Sequence, residues 1–131
     1  MDILNPSRTR TRFLKIALGD YPRGLRYIKA AKKDFLIGSL FPAFTVLLDD
    51  HKQIVSAVSY LNKSDQICIH MIGSIFQGKR YGSILINFLK SLNKPIQAYV
   101  MEEAYDFFLS KGFIPQQDKG IMTEMIFSHE G

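Results

Sequence analysis

Between an apolar run and a run with helical periodicity lies Ile72-Gly73-Ser74-Ile75-Phe76-Gln77-Gly78-Lys79-Arg80-Tyr81-Gly82-Ser83, a stretch equipped to hold an anion. Backbone N–H groups at the start of a helix have no partners within it, and the helix dipole adds partial positive charge at the same end. Glycine lets the main chain approach a phosphate closely, because no Cβ intervenes. Lys79 and Arg80 add two cations, whose alternative use is a solvated basic turn. Other chemistry-bearing residues are His70, Cys68 and the cluster Asp49-Asp50-His51. The cluster reads as a polar turn, and Cys68 as a small core residue. His51, His70 and His129 lack the spacing of a zinc site, so no metal is expected.

Gly73 to Lys79 satisfies the Gly-x-x-x-x-Gly-Lys part of a nucleoside-triphosphate P-loop. The next residue, which should hold Mg²⁺ through a hydroxyl, is Arg80. An apolar strand ending in an acid, Phe44 to Asp49, precedes the loop. The runs upstream are joined by short polar turns, which make antiparallel pairs rather than the parallel sheet a P-loop requires. The P-loop reading is therefore rejected.

The elements that must position the loop follow from periodicity. Residues 1–11 read as a loose start, and Arg12 to Leu18 as a first strand ended by Gly19-Asp20. Asp20 is placed to cap a helix with Pro22 in its first turn; Leu25, Ile28, Ala31 and Phe35 follow at helical spacing. Phe44 to Leu48, Gln53 to Leu61 and Ile67 to Ile72 make an antiparallel meander. Ser83 to Leu92 is a helix, with Ile84, Leu85, Phe88, Leu89 and Leu92 on one face. Ile96 to Val100 is a short strand. Glu102 to Lys111 is a helix with acids in its first turn and Gly112 just past its end. Ile121 to Phe127 is the final strand.

At 131 residues the chain reads as one α/β domain over 1–131, long enough for a hydrophobic core. No apolar run approaches a membrane span and no signal-peptide core opens the chain. With a single cysteine, this points to a cytoplasmic protein without a disulfide framework. The net charge of +5 is uneven: residues 1–33 carry nine Lys/Arg against two Asp, and the rest eight against ten acids. Arg8, Arg10 and Arg12 would share one side of an extended segment and, with Arg23 and Arg26, could meet an acidic substrate or RNA. No aromatics interleave them in a nucleic-acid motif, so a basic surface is the favoured reading.

Gln77-Gly78-Lys79-Arg80-Tyr81-Gly82 after a strand and before a helix resembles the signature Gln/Arg-x-x-Gly-x-Gly/Ala of the GCN5-related N-acetyltransferases (GNAT). A second segment supports this. That family continues with a strand, Asn-x-x-Ala, Phe-Tyr and Gly-Phe; here Ala104, Phe107, Gly112 and Phe113 match in register. Three positions depart from the pattern. Arg80 replaces the first motif glycine, Met101 the asparagine that contacts pantetheine, and Phe108 the tyrosine that protonates the departing thiolate.

The resemblance implies a central, mostly antiparallel sheet flanked by helices, opening between its fourth and fifth strands to admit acyl-CoA. It implies that backbone near Ile72 pairs with the pantetheine arm, that Gln77, Gly78, Lys79, Arg80, Tyr81, Gly82 and Ser83 receive the pyrophosphate, and that Phe108 borders the thioester. The implied reaction is direct transfer of an acetyl group from acetyl-CoA to a primary amine, on a small molecule or a peptide, without a metal. An ammonium has no lone pair, so a base must first take its proton. His70 has the side-chain type best suited to this near neutral pH and shares strand parity with Gln66, Cys68 and Ile72; its alternative is a histidine bonded within the fold. Tyr105, one helical turn before Phe108, could supply the missing hydroxyl or simply pack at the helix edge. Phe108 and Arg80 leave a second function open, a GNAT-type scaffold that binds CoA or nucleic acid without turnover. Sheet edges near the last strand offer a route to a homodimer.

Overall fold

In chain order the protein forms β1 (Asp2–Leu4), α1 (Arg8–Thr11), α2 (Pro22–Ile37), β2 (Ala43–Leu48), β3 (Ile54–Asn62), β4 (Ile67–Ser74), α3 (Tyr81–Lys90), β5 (Ile96–Met101), α4 (Glu102–Ser110), β6 (Ile114–Asp118) and β7 (Met122–Phe127). The computed structural model describes residues 1–38 and 40–129. One mixed sheet runs β1-β2-β3-β4-β5-β7-β6. All neighbours pair antiparallel except β4 and β5. β2 is buried at five consecutive positions and β3 at seven. A strand buried at both parities has helices on both sides, and both α2 and α3 pack on these strands. Leu85, Ile86 and Leu89 of α3 and Ile28 and Ala31 of α2 are fully buried. Each such Leu or Ile contributes about 1.5–3 kcal/mol by leaving water.

The N-terminus departs from expectation. Within residues 1–11, β1 pairs Asp2 with Leu48, and the Ser7 hydroxyl accepts from the Arg10 N–H at 3.2 Å to cap α1. Arg8 and Arg10 are therefore helical and do not line an extended segment with Arg12. Arg12 to Leu18 is not a strand. Only Ile16 bridges to Ile54, held by Ile54 N–H to Lys15 O (2.7 Å) and Ala17 N–H to Ile54 O (3.0 Å). Leu18 and Phe13, counted toward that strand's alternation, are exposed. Tyr21, not Asp20, caps α2; the Asp20 N–H is drawn instead to Ile75 O at 3.1 Å. At the far end, the exit after Gly112 is a strand, β6, exposed at every position, so the sheet edge is β6 and the last strand lies inside it. Among the described residues no helix is long and apolar enough to cross a membrane, and no three His, Cys, Asp or Glu side chains gather to hold a metal.

Candidate active site

The site begins where the sheet comes apart. β4 and β5 pair only over Ile67–Ile69 and Ile96–Ala98, yet β4 runs on to Ser74 and β5 to Met101. A β-bulge marks the parting. Ser59 pairs with Met71 and Tyr60 with Ile69, so His70 is the extra residue. A bulge ends regular pairing and re-aims the side chain at it. Cys68 pairs with Leu61 and Ile72 with Val58, so the parity expected across Cys68, His70 and Ile72 does not carry through to Ile72. Its ring Nδ1 lies 2.6 Å from Asp34 Oδ2 of α2, and the ring stacks on Phe41 with centroids 4.4 Å apart. With Nδ1–H donating to the carboxylate, Nε2 keeps its lone pair.

α2 reaches the end of β4 backbone to backbone. A Cβ on Gly24 would fall 1.6 Å from Ser74 O, and one on Gly73 2.6 Å from the Tyr27 Cβ. This contact fixes the first turns of α2 against β4 and carries Arg23 and Tyr27 into the opening. Ser56 Oγ, fully buried, donates to Gly73 O at 2.7 Å and anchors the strand end from the other side.

Beyond Ser74 the chain turns into α3. Gly78 has φ +75°, and Arg80, the residue capping α3, has φ +62° and ψ +21°. The loop therefore keeps a left-handed backbone at Arg80, where the GNAT signature places a glycine, and accepts a side chain in that conformation. No side chain caps the helix start, so its leading N–H groups face the opening.

Two cavities flank the parted strands. The first, of about 400 Å³, is lined by Ile72, Gln77, Gly78, Arg80, Tyr81, Gly82, Ser83 and Phe108, together with Arg23. Of the loop residues assigned to the phosphates, Lys79 is absent from this lining. The second, of about 280 Å³, holds His70 among Phe41, Met71, Tyr99 and Met122. Tyr27, Ile72, Glu103, Ala104 and Phe108 line both cavities and form their junction. Tyr105 is brought to neither; it lines a separate cleft with Asp106 and Asp118.

At the junction the Phe108 ring is 3% exposed and packs edge to face on Phe107 and Phe113 at 5.3 and 5.0 Å. The Tyr27 hydroxyl donates to Glu103 Oε1 at 3.3 Å, and Arg23 Nη1 lies 3.9 Å from the same oxygen. Burial first, and then the Glu103 charge, push the Tyr27 phenol above its ordinary pKa. Sequence reasoning missed Tyr27, Asp34, Phe41 and Glu103. Periodicity placed Glu103 in the first turn of a helix and Tyr27 and Asp34 within another, left Phe41 between elements, and gave no sign of which would meet β4.

Uncharacterised N-acetyltransferases of Staphylococcus aureus, one from strain bovine RF122 among them, are 44% identical to the chain over 46 residues. That stretch is 35% of this chain and spans only 32% of the relative's length. No family model matches the chain. In three dimensions the likeness runs over nearly the whole chain. The PaiA N-acetyltransferase of Thermoplasma acidophilum, solved in complex with coenzyme A, aligns over 98% of both chains with a TM-score of 0.69 at 13% identity. A Corynebacterium glutamicum protein described as histone acetyltransferase HPA2 and related acetyltransferase aligns over 96% of this chain and 94% of its own, with a TM-score of 0.65 at 13% identity. The parted strands, the loop opening α3 and these likenesses agree: the chain has the fold of the GCN5-related N-acetyltransferases.

Proposed function

We propose that the protein is an acyl-CoA-dependent N-acyltransferase that moves an acetyl group to a primary amine. The observation that carries this is the pair of cavities meeting at the point where β4 and β5 part. One has the electrostatics of a phosphate site: an uncapped helix start with Arg23 and Arg80 in its walls. The other holds a histidine whose Nδ1 is engaged by Asp34, in a chamber whose walls are mostly apolar and aromatic. Bound acetyl-CoA would supply the activated acyl carbon.

The chain's residues do the rest. The edge of β4 beyond Ile69 faces no partner on β5 and offers backbone groups to a pantetheine amide and to the reacting carbonyl. His70 Nε2 takes the proton from the ammonium, while Asp34 holds the ring by Nδ1. The amine nitrogen then bonds to the acyl carbon, the C–S bond breaks and the thiolate leaves. Holding amine and thioester in line contributes roughly 7–11 kcal/mol of barrier lowering. The acceptor chamber has Phe41, Met71, Tyr99 and Met122 in its walls and only His70 and Glu103 as ionisable acid–base groups besides the phenols. It suits an amine on a small apolar or aromatic body better than a polycation.

Titration calorimetry with acetyl-CoA is expected to show binding with a dissociation constant in the micromolar range or below. No heat at micromolar protein would end the CoA assignment. Thiol release with a panel of amines should then favour arylalkylamines and amines on apolar side chains over spermidine. Binding without release to any amine would instead support a non-catalytic scaffold.

Arg80 provides a separate check. Arg80→Ala and Arg80→Gly both remove the guanidinium and should weaken acetyl-CoA binding equally, more at low salt than at high. Only glycine relieves the left-handed backbone, so Arg80→Gly should be the more stable of the two by about 1 kcal/mol. Equal melting temperatures would show that the backbone there carries no strain.

A further inference from the structure

Phe108 cannot donate a proton, and Tyr105 lies in another cleft. One other phenol stands at the junction of the two cavities, on a different helix. We infer that Tyr27 of α2 is the acid of the transfer reaction, positioned by Glu103. This rests on the proposed acyl transfer and adds a residue to it.

Three observations carry the assignment. Tyr27 lines both cavities and so stands at their junction, where the proposed donor and acceptor would meet. Its position is fixed by the backbone contact between Gly24 and Ser74 and by the Gly73 Cα beneath its own Cβ. Glu103 Oε1 accepts from the hydroxyl at 3.3 Å, in a contact that solvent reaches, and lies 3.9 Å from Arg23 Nη1; the carboxylate holds the phenol at the mouth of the opening, from where its O–H turns to the leaving sulfur. Burial and the neighbouring carboxylate keep the phenol protonated at neutral pH.

The proton count closes. The ammonium proton leaves through His70 Nε2 to water, so Nε2 is neutral again when the nitrogen adds to the acyl carbon and then takes that nitrogen's second proton. As the C–S bond breaks, the Tyr27 O–H proton passes to the sulfur, giving the free thiol. The phenolate regains a proton, and His70 loses one, through water in the open cavities. Glu103 does not touch the reacting atoms and is a positioning residue.

The test uses Tyr27→Phe, which removes one oxygen and leaves the ring packing. With acetyl-CoA and the best amine, kcat is expected to fall about 10²-fold, the lower end for a lost acid. The acetyl-CoA dissociation constant, read by calorimetry, should be unchanged. A second donor separates catalysis from packing: acetyl-oxa(dethia)-CoA, whose leaving alkoxide needs a proton more than a thiolate does. The loss in Tyr27→Phe should be larger with this oxygen ester than with the thioester. An undiminished kcat, or equal losses with both donors, would overturn the assignment of Tyr27 while leaving the transfer reaction in place. Wild-type protein that binds no acetyl-CoA would overturn the transfer reading itself, and this inference with it.

Discussion

Replacing His70 by alanine is expected to lower kcat by about 10²- to 10⁴-fold, the range for a lost general base, with no change in acetyl-CoA affinity. The separation follows from the proposed site: His70 lines the second cavity, where the acceptor would sit, and is absent from the lining of the first, where the phosphates would sit. A structural role would show itself differently. The side chain is 40% exposed, and its pairing with Asp34 is of the surface kind worth at most about 1 kcal/mol, so thermal stability should barely move. Asp34→Asn should lie between wild type and His70→Ala, because an amide still meets Nδ1 without fixing which ring nitrogen carries the proton. Steady-state rates of thiol release and a thermal melt of each variant decide the matter. Undiminished turnover in His70→Ala would leave deprotonation of the amine to water.

Gly24→Ala is expected to be the most damaging single methyl in the protein. Two effects compete. Alanine is the better helix former by about 1 kcal/mol, and Gly24 lies in α2. Its Cβ, however, would lie 1.6 Å from Ser74 O and 2.6 Å from Ser74 C, backbone atoms that no rotamer change can move. Overpacking of this kind costs about 1–3 kcal/mol and more where backbone must shift, so the clash wins. A melting temperature lower by roughly 5–10 °C is expected, together with weakened acetyl-CoA binding, because Arg23 and Tyr27 ride on the same turns. A melt at or above wild type would mean that α2 and β4 are not in backbone contact.

How much was legible from residues alone depended on how local the cause was. β2, β3, β4, α3 and α4 fell within one to three residues of their expected ends, because hydrophobic period and turn residues are properties of a single segment. The loop from Gln77 to Ser83, Lys79 excepted, lines the first cavity for the same reason: strand, glycine and helix start are consecutive in the chain. The errors at Arg12 to Leu18 and at β6 have a common origin. Alternation predicts a strand only if a neighbour accepts it; Ile16 found one partner, whereas β6 gained β7 despite exposing every residue.

By itself the amino-acid sequence determined most of the elements, the glycine-bearing basic turn between β4 and α3 and the departures at Arg80 and Phe108. The tertiary structure decided what those departures mean. Arg80 keeps the left-handed backbone, because φ is set by how the loop must close onto α3 and not by the side chain alone. His70 sits at a bulge, which exists only in the register between two strands. Tyr27 meets Glu103 across 76 positions, because Gly24 and Gly73 let α2 and β4 touch. Such contacts belong to pairs of distant segments, and no single segment carries their record.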